Sequence, residues 1–380
     1  MINLIRKSCI AALLSCAWLP LTVVAQEPYV QTLVQELGFR ESSIPSKDMP
    51  GWQRPTRISI LTFRPLPESG LGSAEWLRSV SDGVEVDFFD PEASGNDFSS
   101  LKDSDVLLGW CSPGAIAAAG KLRYLHIYSA GIDRCSATPA IAERDLIATN
   151  SAKAASETIA EHSIAMMLML TRNLHFYRSQ QADGDWTRNP AGAPAAISVK
   201  GKTMLVLGLG GIGSQVAKRG HDLGMRVIGT RNSSRNGPDY VAYVGLSDET
   251  NKLAAEADVI VNALPLTDTT RGSLDEAFFS AAKTGAYYIS VGRGATTNTA
   301  ALIAALKNGQ LAGAGLDVTD PEPLPADHEL WALSNVVISP HSASASDLSE
   351  RSTMILAREN LRRYVRGEKL LNIVDLKRGY

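Results

Sequence analysis

The hexapeptide Gly-Leu-Gly-Gly-Ile-Gly at 208–213 narrows the possible folds of this chain more than any other feature. It sets Gly208, Gly210 and Gly213 in G-x-G-x-x-G spacing, between the apolar run Thr203 to Leu207 and a helix-like stretch from about Ile212 to Leu223. Strand, tight turn and helix in that order form a phosphate cradle. The glycines permit the turn, the approach of a pyrophosphate and close helix-on-strand packing, and the helix N-terminus around Gly211 and Ile212 supplies N–H donors and a positive dipole end. A dinucleotide-binding α/β unit is therefore expected.

The next strand-like run, Met225 to Gly229, ends at Thr230-Arg231, where this fold places an acid that accepts the ribose hydroxyls of NAD. The segment RVIGTRNSSRNG holds three arginines and no carboxylate. Arg231 cannot accept a hydroxyl proton but can pair with a 2'-phosphate, and Asn232, Ser233, Ser234 and Arg235 add donors. NADP is thus expected in preference to NAD. Arg226, at the start of the strand, points elsewhere.

Short apolar or β-branched runs recur on both sides of this motif. Ile58 to Phe63, Val84 to Phe88, Val106 to Gly109 and Leu122 to Tyr128 precede it; Val259 to Leu264, Ala286 to Val291 and Val336 to Ser339 follow. Helix-like segments separate them, the pattern of parallel sheets with crossover helices. With 380 residues, 44% hydrophobic, two ordinary cores fit better than one. Between the series runs an apolar stretch, Ser156 to His175, expected to be one helix capped by Ser156, its Met167, Leu168 and Leu170 face serving core or subunit interface. A formal charge of -3 gives no reason to expect nucleic acid or an anionic membrane surface as partner.

The first 25 residues stand apart. Arg6 and Lys7 precede the apolar run Ser8 to Val24, which closes on Val23-Val24-Ala25 before Gln26, the layout of a cleaved signal peptide. Export to the periplasm or beyond, with no stable membrane insertion after processing, is expected; the alternatives are an uncleaved anchor or a cytoplasmic chain whose true start lies downstream. Residues 26–56 read as an extension, with an amphipathic piece Tyr29 to Leu37 and a Pro- and Ser-rich connector. After processing only Cys111 and Cys135 remain, as a bridge or as two buried thiols. No Cys/His cluster has zinc-ligand spacing, so no metal is expected.

Three chemically useful groups leave three strand ends: Arg293 in Val291-Gly292-Arg293-Gly294, Glu322 in the Pro-rich loop after Asp317, and His341 after Pro340. Ligands of open α/β sheets bind in the crevice outside the carboxyl ends of the strands, so these loops can meet there. Of the other histidines, His126 reads as a satisfied core residue, His162 and His175 as helix residues, and His221 and His328 as surface residues.

The ordered motifs GLGGIG, SVGRG, GLDVTDPEPLP and ISPHSAS, with SAGID at 129–133, ETIAEH at 157–162 and the closing LNIVD, resemble the D-isomer-specific 2-hydroxyacid dehydrogenase family, in particular its glyoxylate and hydroxypyruvate reductase branch. The resemblance runs from about Arg57 to the end. It implies that Arg293 grips the substrate carboxylate and polarises the keto oxygen, that His341 is the general acid/base and that Glu322 is its carboxylate partner. It further implies that Asp317 accepts a hydrogen bond from the nicotinamide carboxamide. The backbone at Ala130 and Gly131 would bind the substrate carboxylate; Trp331, with Tyr128 and Arg134, would shape the pocket; and Leu264, Pro265, Val291, Gly292, His341 and Ser344 would face the cofactor.

Ser290 and Asn298 depart from the Asn and Asp often found in this family, at positions that carry no chemistry. The implied architecture is two Rossmann-like or flavodoxin-like domains with parallel sheets, the cofactor domain (151–341) inserted in a substrate domain (57–150 and 342–380). The implied reaction is NAD(P)H-dependent reduction of a small 2-keto acid to the D-2-hydroxy acid, and its reverse. A homodimer is expected through Ser156 to His175. Two rival readings are a dinucleotide sensor without catalysis and a dehydrogenase of another small acid; the presence of Arg293, Glu322 and His341 together favours the reductase.

Overall fold

In the computed structural model, residues 34–376 are described apart from 63–64, 133–134, 136–137, 139–140, 142–143, 190–191 and 233. The signal-peptide segment, most of the amphipathic piece Tyr29 to Leu37, Arg134 and Ser233 thus lie outside the described residues, or partly so.

Two parallel sheets organise the chain. The first contains β1 (Arg57–Leu61), β2 (Glu85–Phe89), β3 (Val106–Gly109), β4 (Tyr124–Ile127) and β5 (Ile147–Asn150), in the order β2-β1-β3-β4-β5. That is the flavodoxin-like order, with its crossover between β1 and β3. Helices α1 (Ala74–Arg78) and α2 (Pro113–Ala118) connect its strands. Both start on serine caps, Ser73 and Ser112, whose hydroxyls accept the N–H of Trp76 and Ala115. β3 and β4 are buried throughout, as continuous apolar runs under two-sided cover must be.

The link to the second sheet is helical, α3 (Ser156–Thr171) and α4 (Leu174–Asp183). The expected single helix is broken: Asn173 turns left-handed (φ 56°) and its Nδ2 donates to the Pro194 carbonyl at 2.6 Å. A short polar side chain that bonds locally is the type that tolerates this conformation. Ser156 is not the cap either, because Ala155 holds that position and Ser156 opens the first turn. The Met and Leu face is core: Met167 and Leu170 are buried, and Met166 and Leu170 lie where only glycines, Gly315 and Gly313, stand on the strand beneath.

The second sheet comprises β6 (Thr203–Leu207), β7 (Arg226–Thr230), β8 (Tyr243–Gly245), β9 (Val259–Asn262), β10 (Ala286–Ser290), β11 (Leu311–Leu316) and β12 (Val336–Ile338), in the order β12-β11-β10-β9-β6-β7-β8. The order reverses between β6 and β9, the switch point of a dinucleotide-binding fold. Helices α5 (Gly211–Asp222), α6 (Thr250–Ala254), α7 (Glu276–Ala281) and α8 (Thr299–Lys307) complete this layer. The final helix, α9 (Asp347–Val365), returns to the first sheet, where Ile355, Ala357 and Leu361 join its core and Tyr364 stacks on Tyr124 with ring centroids 4.2 Å apart. Residues of the N-terminal extension clasp this return: Trp52 Nε1 donates to the Tyr364 carbonyl at 3.1 Å and Glu41 pairs with Arg363 at 2.7 Å. A disulfide joins Cys111 to Cys135. Among the described residues no helix is long and apolar enough to cross a membrane.

Candidate active site

The glycine turn forms as its spacing requires. The helix α5 begins at Gly211 with Gly210 as its cap residue, so Gly211, Ile212 and Gly213 make the first turn and their N–H groups face outward from the end of β6. A side chain at Gly213 would collide with the Gly208 carbonyl and with Val206, so this glycine lets the helix sit directly on the strand. At Gly210 the space is open. The turn is braced from β7, where the Thr230 hydroxyl accepts the Gly208 N–H at 3.2 Å.

Beyond β7 the two cations of the basic segment part company. Arg231 is tied by its backbone N–H to Gly245, while its Nε is buried and has no hydrogen-bond partner among the described residues. A buried donor of a permanently charged group without an acceptor is costly unless a ligand supplies one. Arg235 is committed elsewhere, to Glu249 at 2.6 Å and the Tyr243 hydroxyl at 2.9 Å. The Tyr243 hydroxyl donates to Glu249 at 2.6 Å and the Leu246 N–H at 2.9 Å, and these bonds, with Arg235 adding to them, hold the Glu249 carboxyl down at about 2. Asn232 is exposed, and Ser233 lies outside the described residues. An open depression of about 320 Å³ borders Arg235, Pro238 and Val241.

Four successive loops meet at the carboxyl edge of β9 to β12. Gly292 abuts the backbone of Leu264, and a side chain at Gly294 would strike the Thr319 carbonyl. The Arg293 loop is thereby wedged between the loop after β9, with Leu264 and Pro265, and the loop after β11 that carries Glu322. Val291 is buried, and its N–H bonds the Asn262 carbonyl at 3.0 Å. Arg293 donates from one terminal nitrogen to the Gly292 carbonyl at 2.9 Å, and its own carbonyl accepts from Thr296. The loop after β12 joins through His341, whose N–H donates to the Asp317 carbonyl at 2.8 Å.

There His341 Nδ1 lies 2.9 Å from Glu322 Oε1. An ionised carboxylate only accepts, so Nδ1 carries a proton and Nε2 is the atom left for exchange. His341 has φ of +51°, a left-handed backbone that a non-glycine residue adopts at a cost. Asp317 holds it there: this buried carboxylate accepts the N–H of Ser342 at 2.9 Å and of Ala343 at 3.1 Å, directly after the histidine. Sequence reasoning missed the rest of the brace. Ser339 donates to Asp317 at 2.6 Å and accepts from His162 Nε2 at 2.9 Å. The ETIAEH motif was the available signal, because it puts His162 on the helix face that meets this loop.

On the first sheet, Ala130 and Gly131 form an accessible turn after β4. Asn150 Nδ2 donates to the Ala130 carbonyl at 2.6 Å and the Ser129 hydroxyl to the Gly131 carbonyl at 2.7 Å. Trp331 is exposed, its Nε1 bonded to the Pro325 carbonyl at 2.8 Å, and Ser344 is half-buried two residues beyond the Ser342 N–H. His126 is a satisfied core residue, bonded to Thr149 at 2.8 Å. Among the described residues no cluster of His, Cys, Asp or Glu could hold a metal ion.

The chain matches the family described as D-isomer specific 2-hydroxyacid dehydrogenase, NAD binding domain, over residues 164–343. It is 31% identical over 329 residues to a glyoxylate reductase of Korarchaeum cryptofilum, covering 83% of this chain and 95% of that protein. The chain belongs to the D-isomer specific 2-hydroxyacid dehydrogenase family. A human glyoxylate reductase/hydroxypyruvate reductase is 34% identical over 67% of this chain and 77% of its own length. A D-isomer specific 2-hydroxyacid dehydrogenase from Xanthobacter autotrophicus, solved in complex with NADPH and MES, superposes with a TM-score of 0.70 at 27% identity, covering 86% of this chain and 100% of that one. As a member of this dehydrogenase family the chain is an NAD(P)-dependent oxidoreductase.

Proposed function

We propose that this dehydrogenase reduces a small 2-keto acid of the glyoxylate or hydroxypyruvate kind to the D-2-hydroxy acid, with NADP(H) preferred, and catalyses the reverse oxidation. The observation that carries the reading is the wedge of loops at the carboxyl edge of β9 to β12, which sets the Arg293 loop beside the loop of Glu322, the partner of His341, with Leu264 between Gly292 and Gly208 of the glycine turn. The substrate domain would be 57–150 with 342–380, and the cofactor domain 151–341. Bound nicotinamide supplies the hydride that the keto carbon accepts. Arg293 holds the carboxylate and polarises the keto oxygen, aided by the backbone N–H groups of Ala130 and Gly131. His341 Nε2 gives its proton to that oxygen, and Glu322 keeps the ring oriented and stabilises the charged form. Asp317 offers Oδ2, which accepts only the Ala343 N–H among the described residues, to the nicotinamide carboxamide.

NADP preference rests on the orphaned Arg231 Nε at the end of β7, whereas Arg235 is paired with Glu249. A homodimer through the region of α3 and α4 is supported by the exposed Leu174 and Tyr177 and by Trp186, which is 94% exposed. Export is supported by the Cys111–Cys135 cystine, a bond of oxidising compartments. The testing experiment assays the purified mature chain with NADPH and NADH against glyoxylate, hydroxypyruvate and pyruvate. Turnover with NADPH favoured is expected; a preference for NADH would refute the role given to Arg231.

A further inference from the structure

Two loops leave the carboxyl edge of the first sheet side by side, one after β3 at Trp110 and Cys111, the other after β4 at Ser129 to Ile132. They touch twice. Trp110 meets Tyr128 edge-on with ring centroids 6.4 Å apart, and Cys111 is bonded to Cys135 with their Cα atoms 5.4 Å apart. Cys135 is fully buried and its N–H donates to the Ile132 carbonyl at 2.8 Å, so the cystine begins where the Ala130–Gly131 turn ends. On its other side this turn is held by polar bonds from β5 and its end: Asn150 to the Ala130 carbonyl, and the Ser151 N–H to the Ser129 carbonyl at 3.2 Å.

We propose that the Cys111–Cys135 cystine is a positioning element for the substrate: it clamps the Ala130–Gly131 turn from the β3 side, opposite Asn150, and thereby presets the backbone N–H groups that receive the substrate carboxylate. The proposal rests on the carboxylate-binding role given to that turn above. Gly131, which brings no side chain to pack, lies between the Ala130 anchor and the cystine, so without the bond the turn is held from one side only and must be ordered when substrate arrives. That cost falls on substrate binding and not on the chemical step or on the cofactor, whose contacts lie on the other sheet.

The test compares oxidised protein with protein reduced by dithiothreitol, which leaves as its cyclic disulfide while Cys111 and Cys135 become thiols. Reduction is expected to raise the KM for the keto acid roughly three- to tenfold, with kcat and the KM for NADPH changed by less than about twofold. The double variant Cys111→Ser, Cys135→Ser should show the raised KM without any response to dithiol; if it does not fold, the reduced wild type decides. An unchanged KM in protein whose two thiols are shown by mass spectrometry to be alkylated after reduction would overturn the proposal, as would thiols that alkylate before reduction. Calorimetric binding of oxalate to the NADPH complex gives the same comparison without turnover. Cystine-dependent oxalate binding in a chain that reduces no keto acid would sink the proposed reaction and leave the clamp standing, and oxalate binding indifferent to reduction would sink the clamp alone.

Discussion

His341 combines an unfavourable backbone with four constraints that hold it there: its N–H on the Asp317 carbonyl, Ser342 and Ala343 on the Asp317 carboxylate, and Glu322 on its ring. Sequence order exposed the histidine, the arginine and the glutamate, because each sits at a fixed place in a motif. It could not expose the brace through Ser339 and His162, because the His162–Ser339 bond joins positions 177 residues apart and exists only once α3 lies on the sheet. The same holds for Arg231 and Arg235. Both are basic residues in one loop, and only the fold separates the arginine with an orphaned buried nitrogen from the one paired to Glu249. Two outcomes follow at this scale. Arg231→Asp should lower kcat/KM with NADPH by roughly 10- to 100-fold, the range of a charge-assisted hydrogen bond, while activity with NADH falls far less; steady-state kinetics with both cofactors check it. Asp317→Leu should remove the acceptor of the Ser342 and Ala343 N–H groups and cost about 1–3 kcal/mol of stability, read from a urea melt.

Elements were legible where the pattern was long or flanked by glycines and opaque where it was short. The strand, turn and helix around Gly208 to Gly213 follow from spacing alone. β5, β8 and β11 escaped notice because Ile147–Asn150 and Tyr243–Gly245 hold few apolar residues and Leu311–Leu316 is mostly glycine and alanine, so none reads as an apolar or β-branched run. The expected helix Ser156 to His175 reads as continuous because nothing in its apolar pattern marks Asn173; the left-handed turn there is decided by a bond to Pro194, which is remote in sequence. At this scale the packing of α5 on β6 gives a sharp prediction. Gly213→Ala should displace the helix N-terminus, destabilise the protein by roughly 1–3 kcal/mol as overpacking does, and weaken NADPH binding in a fluorescence titration.

For the whole molecule, alternation of strands and helices announced two parallel α/β units, and the return of α9 to the first sheet came from the resemblance and not from any local signal. Acid sensitivity is a property of the assembled core. His126 is wholly buried, and desolvation pushes it down to about 3. The unfolded chain takes up that proton near pH 6.5, so the folded state is favoured in full above that value and loses roughly 1.4 kcal/mol per unit as pH falls toward 3. His126→Asn should flatten the decline of the urea midpoint between pH 7 and pH 4 by that one proton. The most direct test of the proposed chemistry is the rate of NADPH oxidation with hydroxypyruvate and glyoxylate by the wild type and by His341→Gln, measured beside NADPH binding. The wild type should turn over, and the variant should lose about 10²- to 10⁴-fold in kcat/KM while its NADPH affinity stays within about twofold; a wild type inert with both acids, or a variant as fast as the wild type, would contradict the account.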